Sequence, residues 1–197
     1  MSKLITDADK KAKKVFFEVK AKKIELEVLK KENEDNIREF REAVNKYARE
    51  HNLPITNSFV EIDDEIEVPQ SALKADFSPK LKKLYKKLAM KTHPDKLKGY
   101  PDDYVDMMKK YYEGLSESIN MNCPSIIIDI AQKLNIDDLD LGVEEYLSLE
   151  GEKEELEAEI KVVKGTYAFI WAKSGKSENI IKLFLGVGLE EKKEESE

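Results

Sequence analysis

Four consecutive residues, His93, Pro94, Asp95 and Lys96, bring together side chains that suit recognition of a charged partner. Proline restricts the backbone of a short loop, so a partner that binds the loop has few torsions left to order. The carboxylate of Asp95 only accepts hydrogen bonds and suits an arginine, whereas His93 offers one donor and one acceptor. We predict that His93, Pro94 and Asp95 bind a partner, and that His93 anchors the loop against its own helices or against that partner. The alternative is a turn that ends a helix and has no further role.

A lysine-rich amphipathic segment leads directly into this tripeptide. Ser78 suits a helix N-cap and Pro79 suits the first helical position. Because Pro94 disfavours helix at the residue before it, we predict that the helix ends near Thr92. The polar face of the helix, together with the residue after the tripeptide, supplies the lysines predicted to bind the partner: Lys82, Lys83, Lys86, Lys87, Lys91 and Lys96.

Charge is distributed very unevenly along the chain. Residues 78–98 contain eight lysines and one acid, a net charge of +7, whereas the whole chain carries −7, so the remaining residues carry −14. This asymmetry favours an acidic partner surface. It argues against general nucleic-acid binding, for which a basic balance is usual. A nucleic-acid binder is the weakest alternative, and salt-dependent DNA binding that survives Asp95→Ala would favour it.

The stretch from Ser78 to Glu117 resembles a J-domain, the module by which DnaJ-type co-chaperones engage the seventy-kilodalton heat-shock (DnaK-type) chaperones. The family's Tyr-Arg-Lys-Leu-Ala pattern is matched from Tyr85 to Ala89, with Lys86 at the usual arginine position. A second helix, predicted over 102–119, carries Tyr-Tyr-Glu-Gly-Leu-Ser-Glu where the family has Ala-Tyr-Glu-x-Leu-Ser-Asp. The resemblance implies a helical hairpin whose core contains Leu81, Tyr85, Leu88, Ala89, Val105, Met108, Tyr112 and Leu115.

The resemblance implies a co-chaperone that stimulates ATP hydrolysis by a DnaK-type chaperone and delivers an unidentified client protein. Such a protein is not an enzyme, and we expect no catalytic residue, no cofactor and no metal ion. The single cysteine excludes the zinc region of larger DnaJ proteins, and there is no Gly/Phe-rich segment, so the resemblance is to the minimal type. Short divergent J-proteins of this build occur in viral and phage genomes. One departure is clear: the short first helix of J-domains, with its Tyr-x-x-Leu-Gly-Val sequence, has no counterpart in 60–77.

Composition predicts an all-α protein. Among the 197 residues, 38% are charged and 41% hydrophobic, with few glycines and prolines. The N-terminus lacks the apolar core of a secretory signal, and the longest apolar runs are too short to cross a bilayer. We therefore expect a soluble cytoplasmic protein without membrane contacts.

Two long helices are predicted, at 7–50 and 143–172, and both carry apolar residues at 3-4 spacing typical of coiled-coil seams. The first seam runs through Ala12, Val15, Val19, Lys22, Leu26, Leu29, Asn33, Asn36, Phe40, Ala43 and Tyr47. The second runs through Tyr146, Leu149, Lys153, Leu156, Ile160, Val163, Tyr167 and Ile170. The two seams invite an antiparallel pairing within the chain, and homodimerisation through the N-terminal helix is the open alternative. A coiled-coil structural or assembly adaptor with a degenerate J-like hairpin is the second functional hypothesis.

The chain is accordingly divided into five segments. They are 1–53, a long N-terminal helix; 54–77, a connector with a small hairpin or extended stretch at 58–68; 78–135, the divergent J-domain with a short helix at 125–134; 143–185, a C-terminal helical region that ends in an amphipathic piece at 177–185; and 186–197, a disordered acidic tail. Three single residues receive structural interpretations: Cys123 as a small, partly buried side chain, His51 as a helix-terminal residue and Trp171 as core.

Overall fold

The computed structural model describes residues 7–53, 77–136 and 141–187. These residues form seven α-helices and no strand, which confirms the predicted all-α class. The helices are α1 (Asp7–Glu50), α2 (Pro79–Thr92), α3 (Asp102–Asn120), α4 (Pro124–Lys133), α5 (Val143–Lys164), α6 (Tyr167–Lys173) and α7 (Glu178–Phe184). The stretch predicted as a hairpin or connector at 58–68 lies outside the described residues, as does all but the start of the predicted acidic tail.

Two compact units each combine two separated stretches of the chain. The first contains Met1–Ile24 and Ser71–Glu157, and the second contains Glu25–Gln70 and Ala158–Glu197. Helices α1 and α5 each contribute residues to both units. The two compact units therefore divide the chain differently from the five consecutive segments predicted from the sequence.

The core of the first unit is built on the apolar faces of α2 and α3. Leu88 of α2 and Leu115 of α3 are fully buried, and burial of each such side chain is worth about 1.5–3 kcal/mol. The sequence lacks the first helix of the family pattern, and residues of α1, α4 and α5 cover this hairpin instead. The covering residues are Ala12, Val15, Phe16 and Val19 of α1, Ile127, Ile128, Ile130 and Ala131 of α4, and Leu149 of α5. Phe77, which the sequence placed in a linker, also joins this core.

Within the first unit, α1 and α5 run in the same direction. Asp9 near the start of α1 accepts a hydrogen bond from the N–H of Leu141, just before α5, at 3.3 Å. Further along both helices, Lys23 pairs with Glu152 at 2.7 Å. As the residue number rises along α1, the number of the residue that it contacts near or on α5 rises too. In an antiparallel pair, that number would fall. The antiparallel pairing expected from the two seams is therefore wrong, since 3-4 spacing alone does not encode direction.

The second unit has its own aromatic core. Phe40 of α1 packs against Trp171 of α6 and Phe184 of α7, with ring centroids 5.5 and 5.3 Å apart. Trp171 is 4% exposed, which confirms its interpretation as core. Here too the contacts advance together along the chain: Lys30 pairs with Glu159 at 2.5 Å, and Glu39 pairs with Lys176 at 2.7 Å.

The second long helix is interrupted where the sequence analysis predicted continuity. Helix α5 ends at Lys164, and Thr166 caps α6 by accepting a hydrogen bond from the N–H of Phe169 at 3.3 Å. The break rotates the following residues out of the seam. Tyr167 and Ile170, predicted as seam residues, are 48% and 41% exposed, and the buried positions are Ala168, Phe169 and Trp171.

Three helices end at an asparagine in the left-handed conformation. Asn52, Asn122 and Asn135 have φ values of 53°, 52° and 49° and follow α1, α3 and α4. In each case the next residue donates its N–H to a carbonyl five residues earlier, which satisfies an otherwise unpaired helix terminus. Asparagine tolerates this conformation better than other non-glycine residues, so these positions fix sharp helix ends in a chain that is poor in glycine.

Candidate functional site

A capped N-terminus fixes the position of the basic helix α2. The hydroxyl of Ser78 accepts a hydrogen bond from the N–H of Leu81 at 3.1 Å and donates one to the buried carboxylate of Glu145. Pro79 occupies the first turn, as predicted. A side-chain cap of this kind is worth about 1 kcal/mol. Buried Leu81, Leu88 and Thr92 hold one face of α2 in the core, and the lysines of α2 are exposed to solvent.

The His-Pro-Asp tripeptide forms the turn that ends α2. His93 leaves the helix with φ −59° and ψ 129°, the extended region that proline imposes on its predecessor. Residues Pro94–Lys96 then form one turn of 3-10 helix, in which Lys96 donates its N–H to the carbonyl of His93 at 3.0 Å. The side chain of Asp95 is 83% exposed, so its carboxylate is available to a partner.

The His93 ring links the turn to α3. Its Nδ1 accepts a hydrogen bond from the backbone N–H of Asp95 at 3.2 Å, and its edge meets the ring of Tyr112 with centroids 5.3 Å apart at 82°. Because Nδ1 accepts, the neutral ring carries its proton on Nε2. This is the anchoring role predicted for His93. At the other end of the turn, Leu97 is buried, and Gly99 adopts φ +88°, so the chain can reverse toward α3.

The lysines of α2 form an exposed basic face beside this turn. No acid interrupts α2, and Lys83, Lys86 and Lys87 form no ion pair with any residue that the structure describes. Lys91 lies at 3.4 Å from the carbonyl of Leu134, close to the limit of a hydrogen bond. The six lysines predicted to bind a partner are all exposed: Lys82, Lys83, Lys86, Lys87, Lys91 and Lys96.

The residues predicted as the hairpin core take two levels of burial. Fully buried are Leu81, Leu88, Met108 and Leu115. Half-buried are Tyr85, Ala89, Val105 and Tyr112. The second group lies at the edge of the core. Tyr112, for example, contacts the ring of His93 there.

Two buried carboxylates that the sequence analysis did not single out hold the site elements in place. Glu145 and Glu152 lie seven residues apart on α5 and are 2% and 4% exposed. Glu145 contacts the cap of α2, and Glu152 accepts hydrogen bonds from the N–H (2.9 Å) and hydroxyl (2.6 Å) of Ser125 in the first turn of α4. The sequence signal that could have identified them is two glutamates seven residues apart on a predicted helix, together with two serines at the starts of other predicted helices.

A second polar network ties α4 to its neighbours in the first unit. Asp129 pairs with Lys20 of α1 at 2.6 Å and with Lys133 at 2.7 Å. Partial burial opposes ionisation of Asp129, but the hydrogen bonds from Lys133 and Lys20 outweigh it and lower the pKa of this carboxyl. The same hydrogen bond to Asp129 raises the pKa of Lys133, whose ammonium also lies over the ring of Tyr111 at 5.8 Å.

Cys123, at the start of α4, has the properties of a structural thiol. It is partly buried, as predicted, and its Sγ lies 3.4 Å from the carbonyl of Met121. Burial, followed by the negative charge of Glu152, raises the pKa of Cys123 to about 11. A thiol with this pKa holds its proton at neutral pH and is a poor nucleophile.

Comparisons with known proteins return no relative. No protein-family model, no curated protein and no solved structure matches the chain significantly. Within the described ranges, no cluster of three or more His, Cys, Asp or Glu side chains could hold a metal ion, and none of the helices has the length and apolarity needed to cross a bilayer. Functional inference therefore depends on the turn, the basic face and the residues that position them.

Proposed function

We propose that this protein is a J-domain co-chaperone that binds a DnaK-type chaperone through the His93–Asp95 turn and the basic face of α2, and stimulates ATP hydrolysis by that chaperone. The observation that carries the proposal is the ordered turn. Nδ1 of His93 holds the N–H of Asp95, while the Asp95 carboxylate stays exposed at the end of a lysine-rich helix. The match between 78–117 and the family pattern supplies the class of partner.

The chemistry of the site suits recognition rather than catalysis. Lysines on α2 attract an acidic surface over several ångströms and raise the rate of encounter. Asp95 then offers two acceptor oxygens to an arginine of the chaperone, and such charge-assisted pairs are strong and directional. The co-chaperone supplies no group to the hydrolysis itself; its binding shifts the chaperone toward the conformation that hydrolyses ATP.

The missing first helix of the family pattern does not leave the hairpin without support. Apolar residues of α1, α4 and α5 pack on α2 and α3 in the first unit, and Glu145 and Glu152 reach the N-termini of α2 and α4. The proposal requires that α2 and its terminal turn be held in a fixed conformation. These contacts provide that support by a route that differs from the family pattern.

Single-turnover ATP hydrolysis by a DnaK-type chaperone tests the proposal directly. The wild-type chain should accelerate hydrolysis, and both His93→Gln and Asp95→Asn should reduce the acceleration by roughly tenfold or more, because each removes a contact to a charged or anchoring group. Two matched controls, His51→Gln and Asp103→Asn, change an exposed histidine and an exposed acid outside the turn and should leave the acceleration intact.

The outcomes separate the two functional hypotheses. Acceleration that is lost in both turn variants, and retained in both controls, supports the co-chaperone. No acceleration by the wild-type chain with several DnaK-type chaperones would contradict it and favour the structural adaptor. Circular dichroism of each variant shows whether any loss of acceleration comes from unfolding.

A further inference from the structure

One nitrogen of His93 lies within reach of two different groups of Asp95. Nδ1 accepts a hydrogen bond from the backbone N–H of Asp95 at 3.2 Å, and it lies 3.7 Å from Oδ2 of the Asp95 carboxylate. The first contact requires that Nδ1 carry no proton, and the second becomes an ion pair only when Nδ1 is protonated. The protonation state of this ring therefore determines which group of Asp95 it binds.

The other groups around the ring do not compete for Nδ1. From α3, Tyr112 presents its aromatic ring at 82°, with centroids 5.3 Å apart. Within the turn, Lys96 reaches the carbonyl of His93 through its backbone N–H at 3.0 Å. From α2, the ammonium of Lys91 is directed to the carbonyl of Leu134 at 3.4 Å. Among the described residues, Asp95 is the one acid within 4 Å of a His93 ring nitrogen.

We propose that protonation of His93 moves Nδ1 from the backbone N–H to the carboxylate of Asp95, and that the turn thereby loses affinity for its partner at acidic pH. In the neutral form, the side chain of Asp95 is 83% exposed and can meet an arginine of the partner. In the protonated form, Nδ1–H donates to Oδ2, which has to approach by only about 1 Å to reach the length of a charge-assisted hydrogen bond. The carboxylate is then paired with its own histidine.

This inference rests on the proposed function, because it concerns regulation of the site that would bind the chaperone. A proton on His93 and an arginine on Asp95 oppose each other, so partner binding should in turn displace the proton. The ring is 43% exposed, and exposed ion pairs are weak. We therefore expect a graded effect, in which affinity is highest with the neutral ring and falls roughly three- to tenfold as the ring is protonated.

Nuclear magnetic resonance of the full chain tests the exchange of hydrogen bonds without any partner. The chain has two histidines, so the variant His51→Gln leaves His93 as the single source of imidazole signals. Between about pH 7.5 and 5.5, the ring should change from the Nε2–H tautomer to the doubly protonated form. The amide and carboxyl signals of Asp95 should shift with the same midpoint. Asp95 signals that do not follow the ring, or an Nδ1–H tautomer at the higher pH, would overturn the proposal.

Dissociation constants for a DnaK-type chaperone at the same two pH values test the effect on binding. The wild type and His51→Gln should bind roughly three- to tenfold more weakly at the lower pH. His93→Gln should bind more weakly than the wild type at the higher pH but change less than about twofold between the two, because glutamine does not titrate. Comparing the two chains removes any pH dependence of the chaperone itself.

Two binding results would overturn the proposal. One is an equal pH dependence in the wild type and His93→Gln. The other is a wild-type affinity that rises on acidification, because the protonated ring would then only add to the basic face. A chain that binds no chaperone at either pH would count against the co-chaperone function, and the Asp95 signals would still decide whether protonation of His93 closes the carboxylate. Circular dichroism at both pH values shows that the helices remain folded.

Discussion

The imidazole of His93 accepts a hydrogen bond from the backbone N–H of Asp95, a contact that requires the histidine to stand two residues before the aspartate. The proline between them fixes the φ angle of the turn, and the histidine closes the turn against the next N–H. Tyr112 holds the ring from α3. Glutamine at position 93 keeps a hydrogen-bonding oxygen but loses this ring contact, so His93→Gln tests the anchoring geometry rather than mere polarity.

Cys123 offers a residue-scale test of the environment at the start of α4. With a pKa of about 11, its alkylation rate should rise about tenfold per pH unit from pH 7 to pH 10. At pH 8 the rate should be roughly a hundredfold below that of an ordinary thiol, because far less thiolate is present. Iodoacetamide labelling followed by mass spectrometry measures these rates, with the chain unfolded in guanidinium as the control. A rate that levels off near pH 8.5 in the folded chain would contradict the raised pKa.

At the scale of elements, α5 holds the starts of α2 and α4 in position within the first unit. Glu145 and Glu152 lie on one face of α5 because seven residues make two turns, and each reaches a serine at the start of another helix. The N–H groups at a helix start carry partial positive charge, so a carboxylate placed there is favourable. Lys23 of α1 completes the charge balance at Glu152. The basic helix and α4 thus obtain their positions from the same helix face.

Loss of the buried Glu152 carboxylate should destabilise the first unit. In Glu152→Gln, the charge of Lys23 loses its buried partner and the cap on Ser125 weakens, so we expect a loss of about 2–4 kcal/mol in unfolding free energy. Urea denaturation measures the loss. Glu154→Gln, at an exposed position of the same helix, is the matched control and should change stability by about 0.5 kcal/mol or less.

A second substitution separates charge pairing from packing at this site. Adding Lys23→Met to Glu152→Gln removes the unpaired ammonium and should recover part of the lost stability. If Glu152→Gln proves as stable as Glu154→Gln, the buried carboxylate does not support α4 in the way the contacts indicate. If the double variant is less stable than Glu152→Gln, packing of the Lys23 stem outweighs the cost of its charge.

The sequence predicted the elements with strong local signals and missed those decided by distant contacts. Ser78, Pro79 and Pro94 delimit α2 through their own backbone chemistry, so its bounds and the turn were predictable. The direction of α5 relative to α1 was not predictable, because a seam specifies a face and not a polarity. The break before α6 was not predicted. The signal for it is Thr166, whose hydroxyl caps α6 by accepting a hydrogen bond from the N–H of Phe169, three residues later.

At the scale of the whole molecule, the uneven charge of the sequence corresponds to one helix and one turn of the fold. The +7 segment is contained in α2 and the turn after it, in a chain that is otherwise acidic. Several acids on α1 and α5 are paired with lysines of neighbouring helices, as in Glu159 with Lys30 and Glu18 with Lys153. Lys83, Lys86 and Lys87 have no such partners among the described residues. The positive charge left for a partner is therefore concentrated beside Asp95.

Charge reversal on α2 should weaken partner binding through the local face and not through net charge. We expect the double variant Lys83→Glu, Lys87→Glu to raise the concentration for half-maximal ATPase stimulation by roughly tenfold at low salt, with a smaller effect at 0.5 M salt because of screening. The control variant, Lys11→Glu with Lys161→Glu, makes the same change in net charge at exposed positions on α1 and α5. Equal weakening by both variants would assign the effect to the overall charge of the chain. Weakening confined to the α2 variant would assign it to the face beside the turn.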